Sequence, residues 1–443
     1  MIKRITIVFL FVLSLAASGM AQTPAQIATP SSEGPADLRR QTFDIVWRTV
    51  KEKHFDPTLG GVNWDKVREQ YEPRAAAAAG DQELYRVLQE MLGELHQSHF
   101  NIIPPEAVIS PEAISEDEKQ PGGGIGIELR MIDGAAVITR VEPDSSAFRA
   151  GLRTGFVIGK AGGKSVEQFI EEFAKSNQSP VLKAVRITRR ILGEINGEPG
   201  TMAHLTILDG GNRPREARVA RERLKGELSP PLGNFSPQYT EFESKRLDGD
   251  IGYIRFNTFT MPVIGKVRQA IRDLHDADGL IFDLRGNPGG VGGIAVSIGG
   301  QLVEKAGSLG TMKTRTSEVK FALFPQQNAY AGPVAILMDG MSGSTSEVFA
   351  AGMQELGRAV VVGERSAGAC LPSYFQKLPA GAIFQFAVAD FKTPKGILVE
   401  GRGVAPDLEV KWNRASLLAG RDAQLDAAIE RVQRLRRKSR AAQ

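Results

Sequence analysis

The chain has 443 residues, 42% hydrophobic and 24% charged, with a formal net charge of +4, which is globular material long enough for roughly two to four domains. The basic excess is small and partly terminal, at Lys3, Arg4 and the run from Arg431 to Arg440, and argues against a nucleic-acid or membrane-surface binder. The single cysteine, Cys370, excludes an internal disulfide, so packing must hold the fold and Cys370 is expected as a small apolar filler.

Residues 1–21 are expected to be a signal peptide: Lys3 and Arg4 precede an apolar run from Ile5 to Ala17, and small residues around Gly19 and Ala21 favour cleavage before Gln22. The run is too short for a transmembrane span, and no cysteine near the cleavage site suggests a lipid anchor. The mature chain is expected to be exported, most simply to a periplasm, with no integral membrane segment. Residues 22–35 read as a disordered lead-in. Residues 36–105 read as a helical domain, because Phe43, Val46, Trp47 and Val50 recur at i, i+3, i+4 and i+7. A second helix is predicted from an N-cap at Asp81, burying Leu84, Val87, Leu88, Met91, Leu92 and Leu95. It runs on into Glu94–Phe100 until Pro104 and Pro105 stop it.

Residues 106–222 change character. Gly122-Gly123-Gly124-Ile125-Gly126-Ile127-Glu128-Leu129 opens a strand, Ala136–Val141 forms another, and Ala150-Gly151-Leu152-Arg153-Thr154-Gly155-Phe156-Val157-Ile158 follows. The segment resembles a PDZ domain of the bacterial protease type, with Phe156 where aspartate is usual. That resemblance implies a glycine-rich loop whose backbone, at Gly124, Ile125, Gly126 and Ile127, receives a peptide C-terminus while the strand edge pairs with the peptide. Residues 223–248, with Pro230 and Pro231, read as a linker. Residues 249–412 alternate short apolar runs (Ile251–Phe256, Gly279–Leu284, Val334–Met338, Ala359–Val362) with helical stretches, which predicts an α/β core. Residues 413–443 read as a C-terminal helix, over 415–438, with a basic tail. The whole is therefore an α/β (α+β multidomain) chain.

The chemistry centres on Met338-Asp339-Gly340-Met341-Ser342-Gly343-Ser344-Thr345-Ser346-Glu347. Strand, tight turn, serine and helix together present a nucleophile at a helix N-terminus, where backbone N–H groups can hold an oxyanion. A serine hydroxyl needs a base, and histidine, with an unperturbed pKa of about 6.5, is the natural candidate. His204 falls on a predicted strand and His275 on a predicted helix beside Asp276 and Asp278, so both read as structural or exposed; His54 sits at a helix end before Phe55-Asp56-Pro57. His96 and His99 lie where a helix ends, and spacing alone does not choose between them. The same two could start a metal site, but no third ligand is evident. Gly122–Gly124 precedes a strand and lacks a P-loop ending. No metal or cofactor is expected.

The core resembles the C-terminal processing peptidases, or tail-specific proteases, at Asp283-Leu284-Arg285-Gly286-Asn287-Pro288-Gly289-Gly290, at Ser342–Glu347, and at Gly357-Arg358-Ala359-Val360-Val361-Val362-Gly363-Glu364. The order helical region, PDZ, core also fits. The resemblance implies a ClpP/crotonase-like core with Ser344 as nucleophile and an oxyanion hole from the N–H of Thr345 and of Gly289 or Gly290. Ser342 and Ser346 then serve as caps and packing, and Asp283 with Arg285 as a structural pair.

The best-known branch of that family uses a serine–lysine dyad, with the lysine in a "G-x-x-T-x-G-K-G" segment. Here Gly363-Glu364-Arg365-Ser366-Ala367-Gly368-Ala369-Cys370 places Ala369 at the lysine position, and a methyl group accepts no proton. Lys377, Lys392 and Lys395 are near in sequence only. The branch resembling the tricorn core protease uses histidine, serine and glutamate instead. Its "G-x-S-H" segment is matched by Ser98 and His99, and the glutamate before its "G-V-x-P-D" turn by Glu400. The implied protein is an exported serine endopeptidase with a His99 base oriented by Ser98 and Glu400, acting on unfolded or C-terminally exposed polypeptides. The alternatives are a carrier of apolar ligands resembling the interphotoreceptor retinoid-binding proteins, and a PDZ peptide-binding scaffold with an inert core.

Overall fold

A computed structural model describes residues 34–107, 122–174 and 178–441. The expected signal peptide and nearly all of the lead-in lie outside the described residues. Among the described residues no helix is long and apolar enough to cross a membrane.

Three helices open the structure: α1 (Pro35–Lys53), α2 (Trp64–Ala76) and α3 (Asp81–Gly93). Pro35 starts α1, where its missing N–H costs nothing, and Phe43, Val46 and Val50 form its buried stripe. The Asn63 side chain caps α2 by accepting from the Lys66 N–H at 3.1 Å. Asp81 is the first residue of α3 and Gly80 its cap. This helix stops at Gly93, well short of Pro104. His96 and His99 then adopt left-handed φ values of 52° and 59°, and the chain bends into a short strand, β1 (Asn101–Ile103). β1 pairs antiparallel with Ile383–Ala387, Asn101 opposite Gln385. Behind it, Phe43, Leu88 and Phe100 share one apolar cluster with Leu371, Leu378, Phe384 and Phe386. The helical region is thus packed onto the C-terminal part of the chain through a common core.

The middle region begins with β2 (Gly123–Gly124), paired with Glu222–Arg223. A mainly antiparallel sheet follows in the order β3 (Ile127–Ile132), β4 (Ala135–Val141), β5 (Val157–Ala161), β6 (Met202–Leu208), β7 (Pro214–Ala220). Two helices, α4 (Val166–Glu172) and α5 (Pro180–Ile195), cover it. β3 is an edge strand and α5 packs against it. His204 is exposed on β6.

The third region is a six-stranded sheet in the order β8 (Phe242–Leu247), β9 (Ile251–Phe256), β10 (Gly279–Asp283), β11 (Val334–Met338), β12 (Val360–Gly363), β13 (Leu408–Glu409). β8 is antiparallel to β9, and the other pairings are parallel. Every residue of β10 and β11 is buried, as strands covered on both faces require. Helices α6 (Met261–Asp273), α7 (Gly292–Gly299) and α8 (Thr345–Glu355) make the crossovers. Three expectations need correcting here. The predicted linker contains β8, a full strand of this sheet, and His275 lies in the turn after α6 rather than on it. The predicted final helix is two helices, α9 (Arg414–Leu418) and α10 (Ala423–Ala441), separated at Gly420 with φ 71°; only a glycine-like residue accepts that angle cheaply.

The middle region docks on this sheet through ion pairs. Arg140 reaches Glu243 at 2.9 Å and Arg255 pairs with Glu128. Arg130 of β3 reaches Asp339, which is 0% exposed, at 2.6 Å. Asp339 directly follows β11 at the C-terminal edge of the sheet, where ligand sites of α/β folds form.

Candidate active site

The turns after β10 and β11 lie side by side at that edge. Asn287 stitches them together: its backbone oxygen accepts from the Gly343 N–H at 3.0 Å and from the Ser346 hydroxyl at 2.9 Å. Asp339 accepts from the N–H groups of Gly286 and Met341, both at 3.0 Å, and the Ser342 hydroxyl donates to the Leu284 oxygen at 2.8 Å. These bonds fix the turn that carries Ser344. Asp283 and Arg285 form a buried pair at 2.6 Å, tied also to Tyr253 and Asp422, away from the serine.

Ser344 stands at the start of α8 with φ 52° and ψ −118°. A non-glycine residue there is strained, and such strain persists only where surrounding bonds over-determine it. Its N–H lies within reach of two acceptors, the Ala369 oxygen at 2.8 Å and Glu347 Oε2 at 2.9 Å. Glu347, 0% exposed, also accepts from the Ala369 N–H at 3.0 Å, the Gly368 N–H at 2.8 Å and the Ser366 hydroxyl at 2.5 Å. Burial pushes its carboxyl up to about 7 despite these donors. The segment that carries a lysine in the serine–lysine branch thus supports the serine here through backbone groups. Lys377, Lys392 and Lys395 are all exposed, and none bonds to Ser344 among the described residues.

Gly289 lies directly against the serine: a methyl added to it would sit 2.7 Å from both Ser344 Cβ and the Thr345 nitrogen. Its own N–H is engaged, donating to Asn287 Oδ1 at 2.9 Å. The Thr345 and Gly290 N–H groups have no acceptor among the described residues, and the Thr345 hydroxyl ties the two by donating to the Gly290 oxygen at 2.7 Å.

Ser98, His99 and Glu400 meet although 302 positions separate the serine from the glutamate. Glu400 Oε1 accepts from the Ser98 N–H at 2.7 Å, and Oε2 from the Ser98 hydroxyl and the Cys370 N–H, both at 2.8 Å. Ser98 Oγ is also 2.7 Å from His99 Nδ1. Ser98 has one hydroxyl proton. With that proton donated in the hydrogen bond to the Glu400 carboxylate, Nδ1–H must donate to Ser98 Oγ, which leaves the Nε2 lone pair as an acceptor. Nε2 has no partner among the described residues and is not hydrogen-bonded to Ser344. His99 keeps some exposed surface, yet withdrawal from water pushes its pKa down to about 4, and the Arg189 guanidinium adds to that. Burial raises the Glu400 carboxyl, opposed by its three donors.

The two halves are joined through Ala369 and Cys370. Ala369 accepts from Ser344, Cys370 donates to Glu400, and the buried Cys370 Sγ contacts the Ser344 oxygen at 3.7 Å. His96 is exposed outside this set. His54 is buried, bonded to Gln97 at 2.8 Å and stacked with Phe55 and Phe100, a structural role.

Gly124 and Ile125 are buried rather than open. Gly124 pairs with Glu222 and lies under Leu224 and Asn196, and the Ile125 oxygen accepts from the Ala147 N–H. Gly126, with φ 80°, and Ile127 at the head of β3 are partly exposed. Sequence reading missed Arg130 and the bridging roles of Asp339 and Glu347. Glu347 stood within the serine motif, but nothing local signalled Arg130.

Known proteins share this arrangement of sequence and fold. Residues 250–410 match Peptidase family S41, and residues 35–93 match the Tricorn protease C1 domain. The chain is 25% identical over 390 residues to a carboxyl-terminal-processing protease of Synechocystis, covering 87% of this chain and 84% of that one. It is 27% identical over 409 residues to tricorn protease homolog 1 of Streptomyces coelicolor, covering 89% of this chain but 35% of that longer protein. In fold it resembles the photosystem II D1 C-terminal processing protease, with a TM-score of 0.58, 20% identity, and 89% and 97% of the two chains covered.

Proposed function

Because the chain belongs to peptidase family S41 and is a serine-type peptidase of the C-terminal-processing kind, we propose that Ser344 is its nucleophile and His99 its general base. His99 Nε2 takes the Ser344 proton as Oγ attacks a peptide carbonyl. The N–H groups of Thr345 and Gly290 hold the oxyanion; Gly289, whose N–H is engaged with Asn287, shapes the hole by lacking a side chain. His99 then protonates the leaving amine, and water attacks the acyl-enzyme by the same route. Ser98 and Glu400 hold the tautomer and stabilise the imidazolium as it forms.

The observation that carries this reading is the chain Glu400–Ser98–His99, assembled from opposite ends of the sequence beside a strained serine. His99 and Ser344 are not in contact in this state, and catalytic hydrogen bonds of unliganded sites commonly tighten only with substrate. Closure of the bend after α3 onto the serine turn completes the site.

The middle region is read as a PDZ domain that captures polypeptide C-termini along the β3 edge and α5. Gly126 and Ile127 are its accessible backbone, while the burial of Gly124 narrows the entrance. The core is read as ClpP/crotonase-like, and the leader over 1–21 as directing export to a periplasm. The carrier alternative gains nothing from the cavity best formed among the described residues. That cavity, of about 610 Å³, is lined by Asp144, Arg149, Arg221, Glu222, Arg223 and Lys225, unsuited to an apolar ligand. Unfolded polypeptide offered to the wild-type chain and to its Ser344→Ala and His99→Ala variants tests the mechanism: hydrolysis is expected only from the first, and full activity in either variant overturns it.

A further inference from the structure

The helix that presents Ser344 also grips, at its far end, the loop that carries Glu400. α8 runs from Thr345 to Glu355, so its last residue lies about 16 Å along the helix from the serine. There Glu355 meets the turn that leads to Glu400. Its Oε1 accepts from the Thr393 hydroxyl at 2.8 Å, and its Oε2 from the Lys395 N–H at 2.7 Å. The Thr393 hydroxyl accepts in turn from the Ile397 N–H at 3.1 Å. Beside it, Gln354 donates from Nε2 to the Ala405 oxygen at 3.0 Å. Along the chain, Glu400 therefore lies between two points held by the last turn of α8.

The first turn of the same helix holds the loop again. Glu347 accepts from the Ser366 hydroxyl, whose oxygen accepts from the Val404 N–H at 2.7 Å. Gly401 donates to the Gly368 oxygen at 2.8 Å, and Glu347 accepts the Gly368 N–H. Packing contributes little to the turn that Glu355 holds. Thr393 and Val399 are buried, but the five residues between them, from Pro394 to Leu398, are all exposed, Ile397 at 40% and Leu398 at 41%. Two hydrogen bonds to a carboxylate thus fix a stretch that apolar contacts do not. At the other end of the loop both Glu400 oxygens are engaged by Ser98 and Cys370, and Ser98 Oγ is the link to His99. Such bonds weaken steeply once distance and angle drift.

We propose that Glu355 is a positioning residue of the peptidase reaction: by holding Thr393 and Lys395 it keeps Glu400, and through it Ser98 and His99, in register with Ser344. The inference rests on the peptidase reading of the site. Glu355 bonds to none of those four residues. It acts by joining the helix of the nucleophile and the loop of the orienting carboxylate into one piece.

Glu355→Ala is expected to lower kcat on unfolded polypeptide about three- to tenfold, the worth of roughly one hydrogen bond, with KM unchanged. Thr393→Val, which removes the hydroxyl and keeps the shape, should give a smaller loss of the same kind. Glu355→Gln, which keeps an acceptor, should recover part of the activity. The deciding comparison is a cycle with Glu400→Gln. A residue that acts through Glu400 has little left to lose in that background, so Glu355→Ala should add little there. Unchanged kcat in Glu355→Ala overturns the assignment, as does an equal fractional loss in the wild-type and an impaired Glu400→Gln background. Hydrogen exchange in the full chain carrying Ser344→Ala reads the same hold without turnover. The Ser98 and Cys370 amides, both donors to Glu400, are expected to exchange several-fold faster when Glu355→Ala is added, and unchanged protection there overturns the proposal. Intact kcat in Glu400→Gln instead contradicts the orienting role given to Glu400, and the exchange measurement then decides the hold of Glu355 by itself.

Discussion

The half of the proposed site that carries Ser344 and the half that carries His99 are built on different terms. The serine turn is stitched to neighbouring turns of one sheet by Asn287, Asp339 and Glu347, and its strain is held by those bonds and by the loop that carries Ala369. The histidine sits on a bend after α3 and is oriented through Ser98, which is held by a glutamate 302 residues along the chain from that serine. Its support is a cluster in which Phe43, Leu88 and Phe100 pack against Phe384 and Phe386. The first half is a property of the core. The second exists only while the helical region is docked, so the two can be damaged separately.

Changes at the reacting groups should be largest. Ser344→Ala and His99→Ala are each expected to lower kcat/KM on the order of 10⁴-fold or more, and nearly as much singly as together, because the two act as one unit; additive losses would show that they do not. Next comes the docking cluster. Phe384→Ala is expected to cost about 3–5 kcal/mol, read by urea unfolding. Near its own midpoint it should lose hydrolysis while α8 and the sheet stay protected from hydrogen exchange. Simultaneous loss of protection in both halves would remove the distinction.

Glu400→Gln should follow, at about 10²-fold in kcat/KM. Ser98→Ala should cost roughly tenfold, the worth of about one hydrogen bond. Neither should change the melting temperature as Phe384→Ala does. The smallest effect to resolve is in pH. His99 must be neutral to accept a proton, and its pKa is pushed down to about 4. The kcat/KM of the free enzyme is therefore expected to hold from neutral pH down to about 5 and to fall as pH drops through about 4. A limb near the ordinary histidine value of about 6.5 would mean that the base is less withdrawn from water than the structure shows.

The core strands were legible because a strand covered on both faces leaves an unbroken apolar run, and Val334–Met338 falls where its sequence places it. β8 was not, because Phe242–Leu247 is an edge strand carrying Glu243, Lys245 and Arg246; charge on edges is how sheets avoid mispairing, and it reads as loop. The end of α3 was misplaced because β1 is three residues long and pairs with a partner far along the chain, a tertiary contact with no local signature. The same reason hid Arg130, whose meaning depends on Asp339. Ser344, His99, Ser98 and Glu400 were reachable through motif resemblance, yet only the folded chain shows Ser98 sitting between the imidazole and the carboxylate, or the Gly289 N–H already spent on Asn287.

On this reading His99, not a lysine, activates Ser344. Covalent labelling by a serine-directed fluorophosphonate, followed by mass spectrometry of the modified peptide, tests it most directly. One adduct is expected, on Ser344, forming at a rate that falls with protonation of a group near pH 4 and is lost in His99→Ala, while Lys377→Ala, Lys392→Ala and Lys395→Ala label as the wild type does. Labelling of Ser344 at an undiminished rate in His99→Ala, or loss of labelling in one of the lysine variants, would contradict it.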